Sequence, residues 1–414
     1  MINGYFTIKD KHMRYINAMK KKSVLTIILL FSMLSLMAQK NQFNPVYTGV
    51  TSLSIAPDSR AGAMGDVGVA TDPDVNSQYW NPAKYPFAYS PAGVSLAYTP
   101  WLRQLVSDID LANLTGYYRI GDMQAVSGSL TYFSLGDVLV DNYTIRPYEM
   151  AIDFAYSRML SETFSASVGL RYILSDLQYD YDDEMTPGMA FAADIAMYHS
   201  NYVFLGNREC MFNWGVNASN IGSKISYDGG NTNQFIPTNL RIGTSLMIPV
   251  DEYNTFTISA DANKLMVPTR PTYRQFLDEE YGEDFEDNSY SYSSEYQSWL
   301  DAQGYNDISP IAGIFTSFHD APGGLHEELQ EIYWGVGVEY GYNDQFFLRG
   351  GYHYENEYKG NRKYFTLGAG FKMSVFSLDA AYLISTSQTN PLDQTLRFTL
   401  SFDMDGLKEI VGRR

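Results

Sequence analysis

Cysteine is almost absent from this sequence: Cys210 stands alone among 414 residues. A single thiol excludes an internal disulfide framework and any Cys-rich metal centre. Asn207, Arg208 and Glu209 precede it in place of the small apolar residues a lipoprotein attachment cysteine needs, so it reads as an inert buried or lumenal thiol. Charge is scarce and one-sided: 18% of residues are charged, 47 acidic against 29 basic, for a net charge of −18. Phosphate binding needs clustered Lys and Arg, so nucleic acid is excluded as a partner. Long apolar runs are missing too. The longest, Val24 to Met37, falls short of the roughly 20 residues a spanning helix needs. A mean hydropathy of −0.24 leaves membrane strands open, because a barrel strand shows lipid only every second residue.

That one apolar run follows Lys20, Lys21 and Lys22 and ends at Ala38, before Gln39. A basic start, a short apolar stretch and a small residue at the cleavage point are the parts of a secretory signal peptide. Residues 1–38 are therefore expected to be removed. Met19, directly before the lysines, is the expected true start, with residues 1–18 a mis-assigned beginning.

What is abundant is aromatic and glycine: 34 Tyr, 23 Phe and 33 Gly. These suit strands, tight turns and close strand contacts. After about residue 91 the pattern has a period of two. Phe164, Ala166, Val168, Leu170 and Tyr172 alternate with Ser165, Ser167, Gly169 and Arg171. Leu396, Phe398, Leu400 and Phe402 alternate with Thr395, Arg397, Thr399 and Ser401. In a strand these sets face opposite sides.

Fourteen such segments are expected, near 92–101, 110–120, 123–134, 146–158, 162–175, 188–198, 209–219, 236–248, 253–263, 331–341, 345–356, 363–373, 375–385 and 393–403. Most are longer than the usual globular strand of about 5–6 residues and match the 9–11 of a tilted spanning strand. Tight turns at Gly121-Asp122, Leu160-Ser161, Pro249 to Asp251, Tyr342 to Asp344 and Met373-Ser374 alternate with longer connections. Only the link around His199 to Arg208 breaks that order. Outer-membrane barrels have short periplasmic turns, long outside loops and an even strand count. The expected fold is thus all-β: an antiparallel outer-membrane barrel over 91–403 with both ends in the periplasm. A β-sandwich or propeller fits less well, because its outer face should carry the charge. Here the charge sits on the non-apolar face: Arg119, Glu149, Asp153, Arg171, Asp194, Arg241, Asp261, Glu339, Arg349, Lys372, Asp379 and Arg397. Such lumenal charges are expected to form structural networks. Tyr98, Trp101, Tyr117, Tyr118, Trp334, Tyr352 and Tyr354 near strand ends suit interfacial aromatic girdles.

Two further segments stand out. Residues 39–90 are Gly-rich and lack the alternation, reading as a periplasmic or plug segment of turns and short helix able to sit in a barrel mouth. Within it lie Arg60-Ala-Gly-Ala-Met-Gly-Asp-Val-Gly-Val-Ala70, Asp72-Pro-Asp74 and Tyr79-Trp-Asn-Pro-Ala83. The connection of about 264–330 is far longer than an ordinary loop. It interleaves Asp278, Glu279, Glu280, Glu283, Asp284, Glu286 and Asp287 with Tyr273, Phe276, Tyr281, Phe285, Tyr290, Tyr292, Tyr296 and Trp299. Aromatics with charge suit a protein-binding surface. Phe276, Tyr281, Phe285, Tyr290 and Trp299 are the expected partner-binding residues. Asp180, Asp182, Asp183 and Glu184 form a second acidic loop; it lacks the glycine of a calcium loop, and solvated charge is the expectation. Residues 404–414 are expected to be a periplasmic tail.

Catalytic patterns are missing. There is no Gly-x-Ser-x-Gly elbow, His-Glu-x-x-His pair or phosphate loop. His353 is expected to face the lumen or its mouth in a structural hydrogen-bonding role. No catalytic, cofactor or metal residue is assigned, and an enzyme is not expected.

The N-terminal segment resembles that of the FadL-like outer-membrane barrels, which share its Arg…Met-Gly…Asp…Asn-Pro-Ala signature at Arg60, Met64, Gly65, Asp74, Asn81, Pro82 and Ala83. With Tyr98-Thr-Pro-Trp-Leu102, Leu105-Val-Ser-Asp-Ile109 and Tyr132-Phe-Ser-Leu-Gly-Asp137, the ordered set resembles the PorV family of the type IX secretion system of Bacteroidota. The resemblance implies a FadL-like barrel of fourteen strands embedded in outer-membrane lipid. It further implies partnership with the giant translocon barrel SprA, binding of secreted proteins by their C-terminal sorting domains, and their transfer to a surface attachment complex of the PorU type. The alternative function is a FadL-type channel for hydrophobic small molecules; a lipid-modifying barrel enzyme is a third. Many outer-membrane barrels end on an aromatic residue, whereas here Phe402 is followed by Asp403 to Arg414.

Overall fold

A computed structural model describes residues 43–103, 106, 108–140, 143–177, 185–230, 233–282, 294–373, 375–386 and 392–403. The expected signal peptide, the tail 404–414, the acidic cluster at 180–184, and Phe285 and Tyr290 lie outside the described residues.

The strands in chain order are β1 Ala92–Pro100, β2 Ile109–Ile120, β3 Gln124–Leu135, β4 Val138–Val140, β5 Tyr143–Ile145, β6 Tyr148–Ser161, β7 Phe164–Asp176, β8 Gly188–Leu205, β9 Arg208–Gly222, β10 Asn239–Pro249, β11 Asn254–Leu265, β12 Tyr333–Tyr342, β13 Phe346–Tyr354, β14 Lys363–Lys372, β15 Phe376–Ser385 and β16 Leu396–Asp403. All but β4 and β5 join into one closed antiparallel barrel of fourteen strands. It closes where β1 pairs with β16, from Gly93 opposite Asp403 to Tyr98 opposite Phe398. Strands β4 and β5 form a separate small hairpin in the connection between β3 and β6. Closure removes the open sheet edges that lipid cannot satisfy.

The wall is inside out relative to a soluble protein. On β7, Leu170 is 69% exposed and Val168 is exposed, whereas Ser165, Ser167 and Arg171 are buried. Phe154, Phe191, Ile242, Leu348, Leu367 and Phe398 repeat this around the circumference. Twelve inward charges were expected; Lys372 is the exception, exposed at the short-turn end of β14. Tyr117, expected in a girdle, turns inward and stacks on Tyr85 with ring centroids 4.6 Å apart.

Short turns follow β2, β6, β8, β10, β12 and β14, and longer connections gather at the opposite end. The link expected to break this order does not. Strand β8 runs on to Leu205, and only Gly206 and Asn207 separate it from β9. Gly206 takes φ 65°, the left-handed conformation such a turn favours. Beyond the last β7 pair, Phe164 with His199, the β8–β9 hairpin continues alone. Tyr202, Phe204 and Leu205 are exposed there, which is why the in-out alternation fades in the sequence.

The long connection between β11 and β12 is not a structureless loop. It carries the helices Tyr273–Tyr281, Ser294–Ala302, Pro310–Thr316 and Leu325–Gln330. Thr272 and Gln275 form a reciprocal capping box on the first, and Ser309 caps the third through Ala312 N. These helices make a small cap at the long-loop end.

Candidate functional site

Two features stand apart from the barrel wall: the N-terminal segment inside it and the cap above it. The segment begins at the long-loop end, where Asn44 N donates to Tyr358 O (2.8 Å) and Gly49 N to Phe235 O (2.8 Å). It descends the lumen and reaches the short-turn end, where Arg119 Nη1 donates to Ala88 O (2.8 Å) just before β1. On the way it touches the wall on opposite sides. Ser59 N donates to Thr399 Oγ1 on β16 (2.8 Å), and Gly65 N to Thr366 Oγ1 on β14 (2.8 Å). Gly68 N and Val69 N both donate to Asp261 Oδ2 on β11 (2.7 and 3.0 Å). Asn217 on β9 donates to Trp80 O (2.8 Å), Ser157 on β6 to Pro82 O (2.8 Å), and Ser127 on β3 to Gln78 (2.6 Å). Backbone groups that form no sheet or long helix are thereby satisfied by the polar inner face of the strands.

All seven signature residues lie in this segment. Arg60 is the hub. Its guanidinium forks onto Glu339 on β12 (3.1 and 2.9 Å) and reaches Asp74 Oδ2 (3.0 Å) and Asp72 O (3.1 Å). Glu339 in turn accepts from Arg349 on β13 (2.5 Å), which donates to Asp379 on β15 (2.6 Å). The result is an alternating chain of charge, Asp74, Arg60, Glu339, Arg349, Asp379, that ties the segment across three strands. Planar bidentate pairing is what a guanidinium supplies and an ammonium does not. Asp74 also accepts from Asn76 N (2.9 Å) and so shapes the turn before Ser77–Trp80.

Met64 and Gly65 lie flat on the wall. Gly65 adopts φ 74°, and a Cβ there would meet the Tyr352 backbone at 2.7 Å. On the strand side, a Cβ on Gly351 would fall on the Met64–Gly65 peptide, so main chain meets main chain only because glycine faces it. Asn81 caps Pro82–Phe87 by accepting from Ala83 N (3.1 Å) and donates to Met197 O on β8 (2.8 Å). Ala83 O accepts from Ser165 on β7.

Other contributors are Lys84, which the sequence does not single out, and expected inward residues whose partners it could not show. Lys84 is buried and donates to Gly68 O (2.8 Å) and Thr71 Oγ1 (3.1 Å). Asp66 accepts from Arg397 (2.5 Å) and from Tyr364 (2.5 Å). His353 is buried, stacked on Tyr364 at 4.7 Å, with Nδ1 3.4 Å from Gly65 O. A second inner network joins Arg171 to Asp153, Asp194 and Asn220 at a β-bulge between β8 and β9.

The cap revises the expected partner-binding set. Phe276 and Trp299 are only 3% and 8% exposed. With Leu277, Tyr296 and Leu300 they form the cap's own core, and Tyr273 and Tyr305 pack on it. A segment of this length needs an apolar centre to order four helices, and its aromatics supply it. Tyr281 is exposed, its hydroxyl on Glu295 (3.1 Å). The large exposed apolar side chains lie elsewhere in the cap: Ile311, Phe315, Phe318, Leu325 and Leu329.

Buried charge fastens the cap to the rim. Lys264 at the end of β11 bonds Glu328 (3.0 Å) and Glu331 (2.5 Å). Lys359, between β13 and β14, bonds Glu327 (2.5 Å) and Glu331 (3.0 Å), and Asn44 also reaches Glu327 (3.3 Å). Asp320 accepts from Thr269 N (3.1 Å); burial, with Glu328 and Glu331 nearby, pushes its carboxyl up to about 6. Among the described residues, no group of three or more His, Cys, Asp or Glu side chains converges to hold a metal.

The sequence profile described as type IX secretion system protein PorV matches residues 37–272, more than half of the chain. No curated protein matches. Solved structures similar to this one include the Ralstonia pickettii toluene transporter TbuX (12% identity, 84% of this chain and 96% of that one, TM-score 0.42). The Pseudomonas putida toluene transporter TodX is similar as well (9% identity, 89% and 100%, TM-score 0.46). So is a Pseudomonas aeruginosa FadL homologue (12% identity, 87% and 99%, TM-score 0.41). A closed barrel with apolar side chains outward and charge inward is an outer-membrane protein. Together with the profile match, this makes the chain an outer-membrane component of the type IX secretion system, a member of the PorV family.

Proposed function

We propose that this chain receives secreted proteins by their C-terminal sorting domains at the translocon and passes them to a surface attachment complex. The partners are then a giant barrel of the SprA type and a complex of the PorU type. The observation that carries this reading is the lumenal segment, hydrogen-bonded and ion-paired to strands on opposite sides of the barrel. A segment bonded across the lumen to opposite walls leaves the outer surfaces as the places where a partner can dock. In this proposal the short turns face the periplasm and the cap stands outside, so the folded cap and the β4–β5 hairpin are the surfaces offered to partners.

Deletion of the gene tests the reading. Sorting-domain proteins are expected to accumulate in the periplasm, and normal surface display in the deletion strain would overturn it. One observation favours a channel for hydrophobic small molecules: a cavity of about 390 Å³ at the long-loop end, lined by Val50, Leu177, Met185 and Tyr227. Thr48, Glu149, Asp228 and Gln234 also line it, a polar setting for a purely apolar ligand. Lost growth on a hydrophobic substrate with secretion intact would favour that second function.

A further inference from the structure

The exposed apolar residues of the cap lie in two groups. Ile311, Phe315 and Phe318 are spaced i, i+4, i+7, which puts them on one face of a helical path, and Leu325 and Leu329 are spaced i, i+4 on the next helix. Phe315 is 69% exposed and Leu325 is 70% exposed. The exposed side chains of this stretch include no Asp, Glu, Lys or Arg, though His319 and His326 are among them. Asp320, Glu327 and Glu328 are the only charged residues from Pro310 to Gln330, and all three point to backbone amides or lysines rather than to solvent. In a chain with 47 acidic residues, a stretch this long whose exposed side chains carry no charge is out of character.

Its position says what it meets. On β11, Ile258 and Ala262 face outward toward lipid, and Lys264 is the next outward position. Lys264 is nevertheless buried, held by Glu328 and Glu331, with its ammonium 5.7 Å from the Phe318 ring. The cap therefore folds down over the outward side of this strand's rim. On β12, Trp334, Val336 and Val338 are exposed to lipid, and the chain enters that strand directly from the helix bearing Leu329. Four residues separate Leu329 from Trp334, at most about 17 Å of extended chain over five steps. The lipid-facing side of β11 thus runs up under the cap near Phe318, and that of β12 begins a few residues after Leu329. The barrel's lipid belt is an interface already in place, and the flank continues it.

We propose that Ile311, Phe315, Phe318, Leu325 and Leu329 seat in the lipid of the membrane at the long-loop rim, as a skirt that extends the barrel's apolar belt above β11 and β12. The skirt would hold the cap at a fixed height on one side of the barrel and leave its other sides to protein partners. Nothing in this depends on the cargo-transfer reading.

The test uses the full chain with Cys210→Ser, carrying one new cysteine at Phe315→Cys or Leu325→Cys labelled with an environment-sensitive fluorophore. The protein is reconstituted in phosphatidylethanolamine–phosphatidylglycerol vesicles whose acyl chains are brominated. Ile258→Cys serves as the lipid reference and Gln303→Cys as the water reference. Heat-modifiable migration on gels first establishes that each variant is folded, and two probe positions on separate helices guard against loss of either. The proposal expects fluorescence loss in brominated lipid at positions 315 and 325 comparable with that at 258, and little loss with aqueous iodide. Quenching by iodide and not by brominated lipid would overturn it, leaving a wet face open to a protein. Protection from both quenchers that disappears on dilution would also overturn it, in favour of a second copy of the chain.

Discussion

Replacing Arg60 by alanine should loosen the lumenal segment without unfolding the barrel. The side chain makes a bidentate pair with Glu339 and a further pair with Asp74, at side-chain exposures of 15%, 7% and 24%. Removing one partner of a buried pair costs about 3–5 kcal/mol, chiefly because the other charge is stranded. Glu339 keeps Arg349 at 2.5 Å, and Asp74 is partly solvated, so about 2–3 kcal/mol is the expected loss here. At 1.4 kcal/mol per tenfold, that is a rise of about 30- to 140-fold in the population with the segment displaced. Single-barrel recordings in planar bilayers read this directly. Wild-type barrels should stay closed, and Arg60→Ala barrels should show frequent brief openings. Arg60→Lys should fall between, since an ammonium keeps the charge and loses the fork. Adding Glu339→Gln to Arg60→Ala should quieten the openings, because the buried charge at 339 is gone, Arg349 retains Asp379, and Asp74 is partly solvated. If Arg60→Ala barrels are as silent as wild type while their fold is intact, the charge chain does not hold the segment and the reasoning fails.

Trp299→Ala should open a cavity in the cap core at a cost of about 3–5 kcal/mol, making residues 266–332 protease-sensitive while heat-modifiable migration of the barrel persists; a cap that stays resistant would mean Trp299 is not a core residue. Gly351→Val places side-chain atoms on the Met64–Gly65 peptide, and more frequent openings in the same recordings are expected. Asp320 has a folded pKa of about 6, above its usual 3.8, so its contribution to cap stability is full below pH 4 and is lost as pH rises through 6. Hydrogen exchange of the cap, corrected for intrinsic rates, should therefore speed up between pH 5 and pH 7 in wild type and change less in Asp320→Asn; equal pH dependence would remove Asp320 as the cause.

The barrel was legible because its chemistry repeats. Each spanning strand shows lipid one face, so Val168 and Leu170 against Ser167 and Arg171 reveal both the strand and its sides. The pattern weakens where a strand leaves the wall. Past Ser200 the strand leaves the wall, Asn201, Tyr202, Phe204 and Leu205 are exposed on both faces, and with no alternation needed the sequence there resembles a loop. The signature from Arg60 to Ala83 marked the lumenal segment, but its partners could not be read, because Glu339, Thr366 and Thr399 come from strands hundreds of residues away. In the cap, aromatic residues among acidic ones suggested a binding surface. Phe276 and Trp299 are instead needed as a core, and the exposed apolar side chains lie on and beside the later helices, whose acidic residues Glu327 and Glu328 are taken up by lysines and backbone amides. Composition shows that a segment is aromatic; only packing shows which aromatics turn inward.

At the centre stands a barrel whose own segment is bonded across the lumen and which works in type IX secretion through its surfaces. Affinity purification of the tagged chain from outer membranes, with the captured proteins identified, tests it most directly. The account predicts recovery of a giant translocon barrel together with proteins bearing C-terminal sorting domains. Recovery of the barrel alone, with sorting-domain proteins still reaching the cell surface when its gene is deleted, would contradict it.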